Sequence, residues 1–291
     1  MLKQKIKGMF AGNDDIEVYK KFCKWIGKPE MFKLRKDRSL EYSDLAPLAY
    51  MHLVFEGNTN ISNVKHLLID EMQDYTPVQY KVLKRLFSCR KTILGDMGQT
   101  LNSYSWSDVD MISKVFSNGV VMKLCKSYRS TFEIADFARK IKRVQDMEPI
   151  ARHGQKPGIV RFDNLTEEIS GIAGFVNDFR GSSYESLGII CRSDHIAAVM
   201  SEQLNSCSDD INYISTHSAA FSKGVVVTSV CMAKGLEFDE IIIPCLDGYI
   251  TDSDSGLLYI AVTRAMHRVT LTLSCGKEDL NRHLLRLNLN N

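Results

Sequence analysis

From residue 64 onward, short apolar runs alternate with amphipathic stretches, and this alternation predicts a parallel α/β sheet flanked by helices. The predicted strands are Val64–Ile69, Lys91–Leu94, Gly119–Leu124, Gly158–Phe162, Leu187–Cys191, Val225–Val230, Glu240–Pro244 and Val269–Ser274. Between them, Pro77–Phe87 opens with proline behind Thr76 as its cap. Ser130-Thr131-Phe132-Glu133 reads as a capping box for a helix that runs to about Ile141. In Thr166–Phe179, residues Ile169, Ile172, Val176 and Phe179 fall on one face, as a core stripe does. His195–Leu204 and Gly256–Ala265 complete the helices. The first sixty residues are helical and irregular in pattern; the clearest helix there is Tyr42–Phe55, with Ser43 as its expected N-cap. The stretch Gln145–Pro157 reads as a connecting loop, and a hinge or boundary is expected near residues 125–130.

A chain of 291 residues accommodates one large domain or two ordinary ones. Its 44% hydrophobic and 25% charged content is that of a globular protein. The net charge of +2 creates no global field for nucleic acid, so such binding would rest on local patches. No apolar stretch approaches the roughly 20 residues that span a bilayer. The basic start Met1–Lys7 is not followed by an apolar signal core, so neither a membrane nor a secretory route is expected. Eight cysteines without a C-x-x-C pair suggest reduced thiols and a cytoplasmic setting. The histidines show no metal-ligand spacing, and His66, inside an apolar strand, is expected to be a packing residue.

Candidate chemistry starts at Asp70-Glu71-Met72-Gln73-Asp74, directly behind the strand Val64–Ile69. Paired carboxylates at the carboxyl end of a buried strand lie where open α/β folds bind ligands. Nucleotide hydrolases use such a pair, one carboxylate for Mg²⁺ and its neighbour for the attacking water. Lys91-Thr92-Ile93-Leu94-Gly95-Asp96-Met97-Gly98-Gln99 is a second strand ending in a polar turn, where Gln99 either senses a phosphate or simply completes a Gly-Asp turn. Tyr128 and Arg129 stand at a helix start, suited to stacking on a base and neutralising phosphoryl charge, or to a solvated helix end. In Thr228–Asp239 a strand runs through a Lys-Gly turn and Glu237 into a second strand. Leu257–Ala265 is an apolar helix bearing Arg264, a charge that favours an anionic partner over solvent.

This ordered set resembles the UvrD/Rep-like superfamily 1 helicases. DEMQD is similar to their motif II, GDMGQ to motif III, the SYRS segment to motif IV, TSVCMAKGLEFD to motif V and LLYIAVTRA to motif VI. The upstream piece EYSDLAPLAYMHLVFEG and the short span between Arg129 and Thr228 look most like the helicase IV and HelD-type branch, whose latter members associate with RNA polymerase. The resemblance implies two RecA-like P-loop NTPase lobes with parallel sheets. Residues 1–60 would be a helical lead-in, 61–125 a partial first lobe and 126–291 the second lobe. It further implies ATP and Mg²⁺ as cofactors and single-stranded DNA as partner. Asp70 would bind the metal and Glu71 would activate water. Gln99 would couple the γ-phosphate to movement, and Arg129 and Arg264 would contact that phosphate. Tyr128 would stack on adenine, and Gly235 and Glu237 would lie by the nucleotide, with Glu237 on the ribose. Thr228 and its turn would touch the nucleic-acid backbone. Tyr104 and Trp106 would stack on bases, although Trp106 also suits a partly buried anchor.

The family's phosphate loop, G-x-x-x-x-G-K-[ST], does not occur in the sequence. In the family's fold its strand lies beside the motif III strand, so Lys91–Leu94 is expected to expose a sheet edge and an apolar face. Either the first sixty residues cover that gap, or a separate phosphate-loop-bearing N-terminal polypeptide supplies the missing part. The expected function is that of the C-terminal portion of a helicase-type ATPase, inactive alone. A non-catalytic module that binds DNA or RNA polymerase is the alternative, and a metal-dependent nuclease is a weaker one.

Overall fold

The computed structural model describes residues 14–275 except 38, 58–60, 62, 100–107, 118, 143–146, 217, 219–222 and 250. Two compact units, Met1–Met122 and Lys123–Asn291, divide the chain.

Among the described residues, two helices come first in the first unit. Helix α1 (Asp15–Trp25) starts behind Asp14, whose side chain accepts from the Ile16 amide. Helix α2 (Tyr42–Phe55) has Glu41 at the cap position without a side-chain bond; Ser43, the expected cap, lies inside the helix. Tyr19, Cys23, Phe32 and Leu48 form their shared core. Asp44 is buried beside it, and the Tyr19 hydroxyl donates to its Oδ1 at 3.3 Å.

Strand β1 (His66–Ile69) pairs in parallel with β2 (Arg90–Ile93), Leu67 opposite Lys91 and Ile69 opposite Ile93. Helix α3 (Pro77–Leu86) opens with a capping box between Thr76 and Gln79. Together with α4 (Val109–Val115) it covers one face of this sheet, burying Ile69, Tyr80, Ile112 and Val115 against Leu67 and Ile93. Among the described residues no element covers the opposite face, and Leu68 is 68% and Leu94 48% exposed. His66 lies there, its ring 2.9 Å from the Thr92 hydroxyl, so it is a surface residue and not the packing residue its apolar neighbours suggested. Helix α2 packs on α3, with the Arg85 guanidinium carbon 5.4 Å from the Tyr50 ring centroid. The described N-terminal helices therefore thicken the helical layer and leave the bare face uncovered.

The expected strand Gly119–Leu124 does not form, and Val120 and Leu124 are each 90% exposed. Its apolar pattern suits a ladder, but no described strand lies beside it to supply the hydrogen bonds.

The second unit contains a short parallel pair, β3 (Lys126–Ser127) with β4 (Glu148–Pro149), and a six-stranded parallel sheet. Its strands are β5 (Gly158–Phe162), β6 (Ser186–Cys191), β7 (Ile211–Tyr213), β8 (Gly224–Ser229), β9 (Phe238–Ile243) and β10 (Ala265–Ser274), in the order β5-β10-β9-β6-β8-β7. Helices α6 (Leu165–Arg180) and α7 (Asp194–Asn205) bury Ile172, Val176, Ala197 and Leu204 against Leu187, Ile189, Val225 and Val227. Helices α5 (Phe132–Ile141) and α9 (Asp252–Val262) pack against β9 and β10, and α8 (Val230–Ala233) follows β8 directly. An all-parallel sheet buried on both faces needs consecutive apolar positions, and β6, β8 and β9 supply them. This is the architecture of a RecA-like lobe.

Two polar brackets lock the sheet. Asp239 accepts from the Glu185 amide at 3.0 Å and from the Ser186 amide and hydroxyl at 2.9 and 2.8 Å, tying β9 to the start of β6. Buried Glu168 accepts from the Thr272 hydroxyl at 2.6 Å and the Cys245 amide at 2.9 Å, fixing α6 to the sheet. The expected capping box at Ser130 does not form. Thr131 holds the cap position of α5, the Ser130 hydroxyl donates to the Ala265 carbonyl at 2.6 Å, and Glu133 instead accepts from the Gly154 amide at 2.8 Å.

Candidate functional site

In the first unit, the chain leaves β1 at Asp70 and turns at once. Glu71 adopts a left-handed conformation (φ 51°, ψ 51°), uncommon for a residue with a Cβ. Its amide donates to Asp70 Oδ1 at 2.8 Å, so the two carboxylates share a turn at the carboxyl end of the sheet. Gln73, buried under that turn, bonds in two directions. Its Nε2 donates to Glu71 Oε2 at 2.5 Å, and its Oε1 accepts from the Asp96 amide at 3.1 Å. The Met72 amide adds a bond of 2.8 Å to the Leu94 carbonyl. These contacts weld the carboxylate turn to the turn that follows β2.

Gly95 is required at this junction. A Cβ there would lie 2.5 Å from Gln73 Oε1 and 2.6 Å from the Met72 amide nitrogen. Within the second turn Asp96 accepts from the Gly98 amide at 2.7 Å and the Gln99 side chain at 2.9 Å. Gln99 is thus held half-buried, two bonded residues away from Glu71. Tyr104 and Trp106 lie outside the described residues.

In the second unit, Tyr128 is largely exposed. Arg129 and Glu237, expected on phosphate and ribose respectively, meet each other: Arg129 Nε and Nη2 lie 2.7 and 2.5 Å from Glu237 Oε1. Arg152 donates to the Arg129 carbonyl and fixes the backbone beneath. Gly235 sits at φ 83°, a conformation that opens the turn between α8 and β9 and is costly for other residues. Arg264 is 2% exposed at the end of α9, and its Nε donates to the Ile260 carbonyl at 3.3 Å. Its side chain is shut off from solvent.

Thr228 is fully buried in β8, and its hydroxyl donates to the Ile214 carbonyl at 3.0 Å. A side chain placed there holds the sheet together and is closed off from any nucleic-acid backbone, contrary to the role the resemblance gave it. Gln73, Gly95 and Asp96 were not singled out by sequence reasoning. Their roles rest on the approach of two strand ends 20-odd positions apart, which only the glycine hints at. Among the described residues, no three His, Cys, Asp or Glu side chains converge to hold a metal ion by themselves.

Comparison with known families agrees with this layout. The model of the UvrD/REP helicase N-terminal domain matches residues 14–118, and that of the UvrD-like helicase C-terminal domain matches residues 224–272. The chain belongs to the UvrD/Rep-like helicases. It is 27% identical over 177 residues to a DNA helicase II homologue of Mycoplasma capricolum, covering 55% of this chain and 24% of that protein. DNA helicase IV of Escherichia coli is 22% identical over 265 residues, covering 81% of this chain and 37% of that protein. The chain therefore spans a minor part of the length of these relatives. Among solved structures, the C-terminal domain of a Lactobacillus plantarum DNA helicase aligns over 55% of this chain and 94% of its own, with 28% identity and a TM-score of 0.44. No described helix is long and apolar enough to cross a membrane.

Proposed function

We propose that this chain forms part of an ATP-dependent, UvrD-like DNA helicase, contributing an incomplete first RecA-like lobe and a second lobe, and that it needs a phosphate-loop-bearing N-terminal polypeptide for turnover. The observation that carries this reading is the welded pair of turns in the first unit, which holds Asp70 and Glu71 at the sheet's carboxyl edge and ties them to the turn bearing Gln99.

The donor chemistry suits Mg²⁺. Asp70 spends Oδ1 on the Glu71 amide and offers a second hard oxygen, and Mg²⁺ is ordinarily held by one or two carboxylates together with substrate phosphates. When bound, the ion would neutralise charge on the phosphate oxygens. Glu71, its carboxylate oriented by Gln73, would take a proton from the attacking water. Gln99 would sense the terminal phosphate, and through Asp96 and Gln73 that contact would reach Glu71. Arg129 and Arg264 would supply positive charge to the transferred group, Tyr128 would stack on adenine, and Glu237 and Gly235 would flank the ribose. Single-stranded DNA would lie on Tyr104, Trp106 and the turn after Thr228. The bare face formed by Leu68 and Leu94 supports the need for additional polypeptide, since parallel sheets are normally covered on both faces.

The test is ATP hydrolysis by the full chain, alone and mixed with a polypeptide containing G-x-x-x-x-G-K-[ST]. Turnover is expected only in the mixture and should vanish with Glu71→Gln. Substantial Mg²⁺-dependent turnover by the chain alone overturns the dependence on a second polypeptide. Absence of turnover in every mixture favours a non-catalytic module docking on DNA or RNA polymerase.

A further inference from the structure

On the helical layer of the first unit, α2, α3 and α4 enclose a groove of about 720 Å³ lined by Tyr50, Pro77, Lys81, Lys84, Arg85, Met111, Lys114 and Val115. Four of its residues are cationic and none is acidic. The chain as a whole is nearly balanced, with 37 basic and 35 acidic residues, so this segregation is local. Among the described residues none of the four cations joins an ion pair with a carboxylate. Lys81, Lys84 and Arg85 stand three and four positions apart on α3, where like charges repel. The helix dipole favours Lys84, Arg85 and Lys114, which stand in the last turns of α3 and α4, but it explains neither Lys81 nor the gathering of all four charges around one groove.

The floor of the groove selects among anions. Pro77, Met111 and Val115 are apolar, and the Arg85 guanidinium carbon lies 5.4 Å from the centroid of the Tyr50 ring, within cation–π range. Bases of single-stranded nucleic acid stack on guanidinium planes as readily as on aromatic rings, while phosphates accept from lysine. Lys84 already spends one donor on the Val115 carbonyl at 2.6 Å, which points its ammonium group across from α3 to α4 and leaves two donors. An acidic peptide would use the lysines but not the guanidinium plane.

We propose that this groove is a second binding site for single-stranded nucleic acid, with Lys81, Lys84 and Lys114 on the phosphates and one base stacked on Arg85. Its lining includes none of the residues that the family resemblance assigns to DNA, and it does not depend on ATP hydrolysis.

The experiment titrates a labelled twenty-nucleotide oligothymidylate into the full chain by fluorescence anisotropy at several salt concentrations. Lys81→Gln combined with Lys114→Gln should weaken binding roughly tenfold at low salt and flatten the slope of log K against log salt by about 1.4, from about 0.7 per phosphate contact. Lys140→Gln, on a helix of the other unit, should change neither. Arg85→Lys keeps the charge and removes the plane, so it should leave the slope intact while reducing the quenching of an oligonucleotide that contains 2-aminopurine. Unchanged affinity and slope in the double variant overturn the site. So does polyglutamate that displaces the oligonucleotide from the wild type but not from the double variant, at lower charge concentration than free oligothymidylate needs, because that marks a polypeptide site. Loss of binding in Trp106→Ala together with full retention in the double variant rejects the groove and leaves binding to the residues that the family resemblance assigns to DNA.

Discussion

The guanidinium of Arg129 closes on the carboxylate of Glu237, 108 positions further along the chain, with Nε and Nη2 at 2.7 and 2.5 Å from one oxygen. Each group was expected on a different part of a nucleotide. Their pairing forms a latch within the second unit, and under the proposed function a nucleotide would have to open it. Both side chains are partly exposed, so the pair itself adds at most about 1 kcal/mol to stability.

Glu237→Gln is therefore expected to leave the melting temperature nearly unchanged and to release Arg129. Binding of inorganic triphosphate should tighten by up to about fivefold, roughly the yield of one exposed ion pair. ATP should gain less, because the ribose contact is lost. Arg129→Ala should weaken both ligands. Calorimetric titration of the four combinations checks this, and an equal effect of Glu237→Gln on triphosphate and ATP would remove the ribose role.

Gln73 makes a stronger demand. Gln73→Leu keeps the shape and leaves the Glu71 carboxylate and the Asp96 amide without their shared partner. The expected cost is on the order of 1–3 kcal/mol, measured by urea unfolding. Gln73→Glu places a second carboxylate against Glu71, so its cost should be larger at pH 7 than at pH 4. A penalty independent of pH would show that Glu71 is not the group Gln73 faces.

Asp239 offers a pH test of the second unit. Burial opposes its charge, but the Ser186 hydroxyl and the Glu185 and Ser186 amides outweigh that effect and hold its pKa below the usual carboxylate range. A depressed pKa contributes stability above the unfolded value of about 3.9, and that contribution fades as pH falls through the folded value. Asp239→Asn should thus cost about 1.5–3 kcal/mol at pH 7, and the gap from wild type should narrow below pH 4. Thermal unfolding across that range gives the comparison.

Asp44 has the opposite sign. Burial raises its pKa, partly offset by the Tyr19 hydroxyl, and Glu41 adds to the rise. The folded state then holds the proton more tightly than the unfolded one. Stability falls as pH climbs from about 3.9 through the folded value. Asp44→Asn, which keeps the acceptor for Tyr19, should raise the melting temperature at pH 7 and match wild type in acid. A lower melting temperature at pH 7 would mean that the charge has a partner.

Much of the second unit was legible in the chain. Strands such as Leu187–Cys191 and Val225–Val230 are apolar on both faces, and only a sheet covered twice can use them. Gly119–Leu124 has the same texture and forms no strand, because pattern specifies a face while a ladder requires a neighbour. The motif residues were visible as types, yet their partners were not. Nothing local joins Arg129 to Glu237 or Gln73 to Asp96, and Thr228 looks exposed by motif and is buried by register. Capping misled at Ser130, where a distant carbonyl at Ala265 took the hydroxyl.

The uncovered side of the β1–β2 pair also sets a difference in opening free energy along the polypeptide. Amide hydrogens of those eight strand residues sit in a sheet with solvent on one flank and few protecting neighbours, whereas those of β6 and β9 lie in the middle of six strands with helices above and below. Deuterium should enter the former in fleeting local excursions and the latter only when the whole second unit lets go.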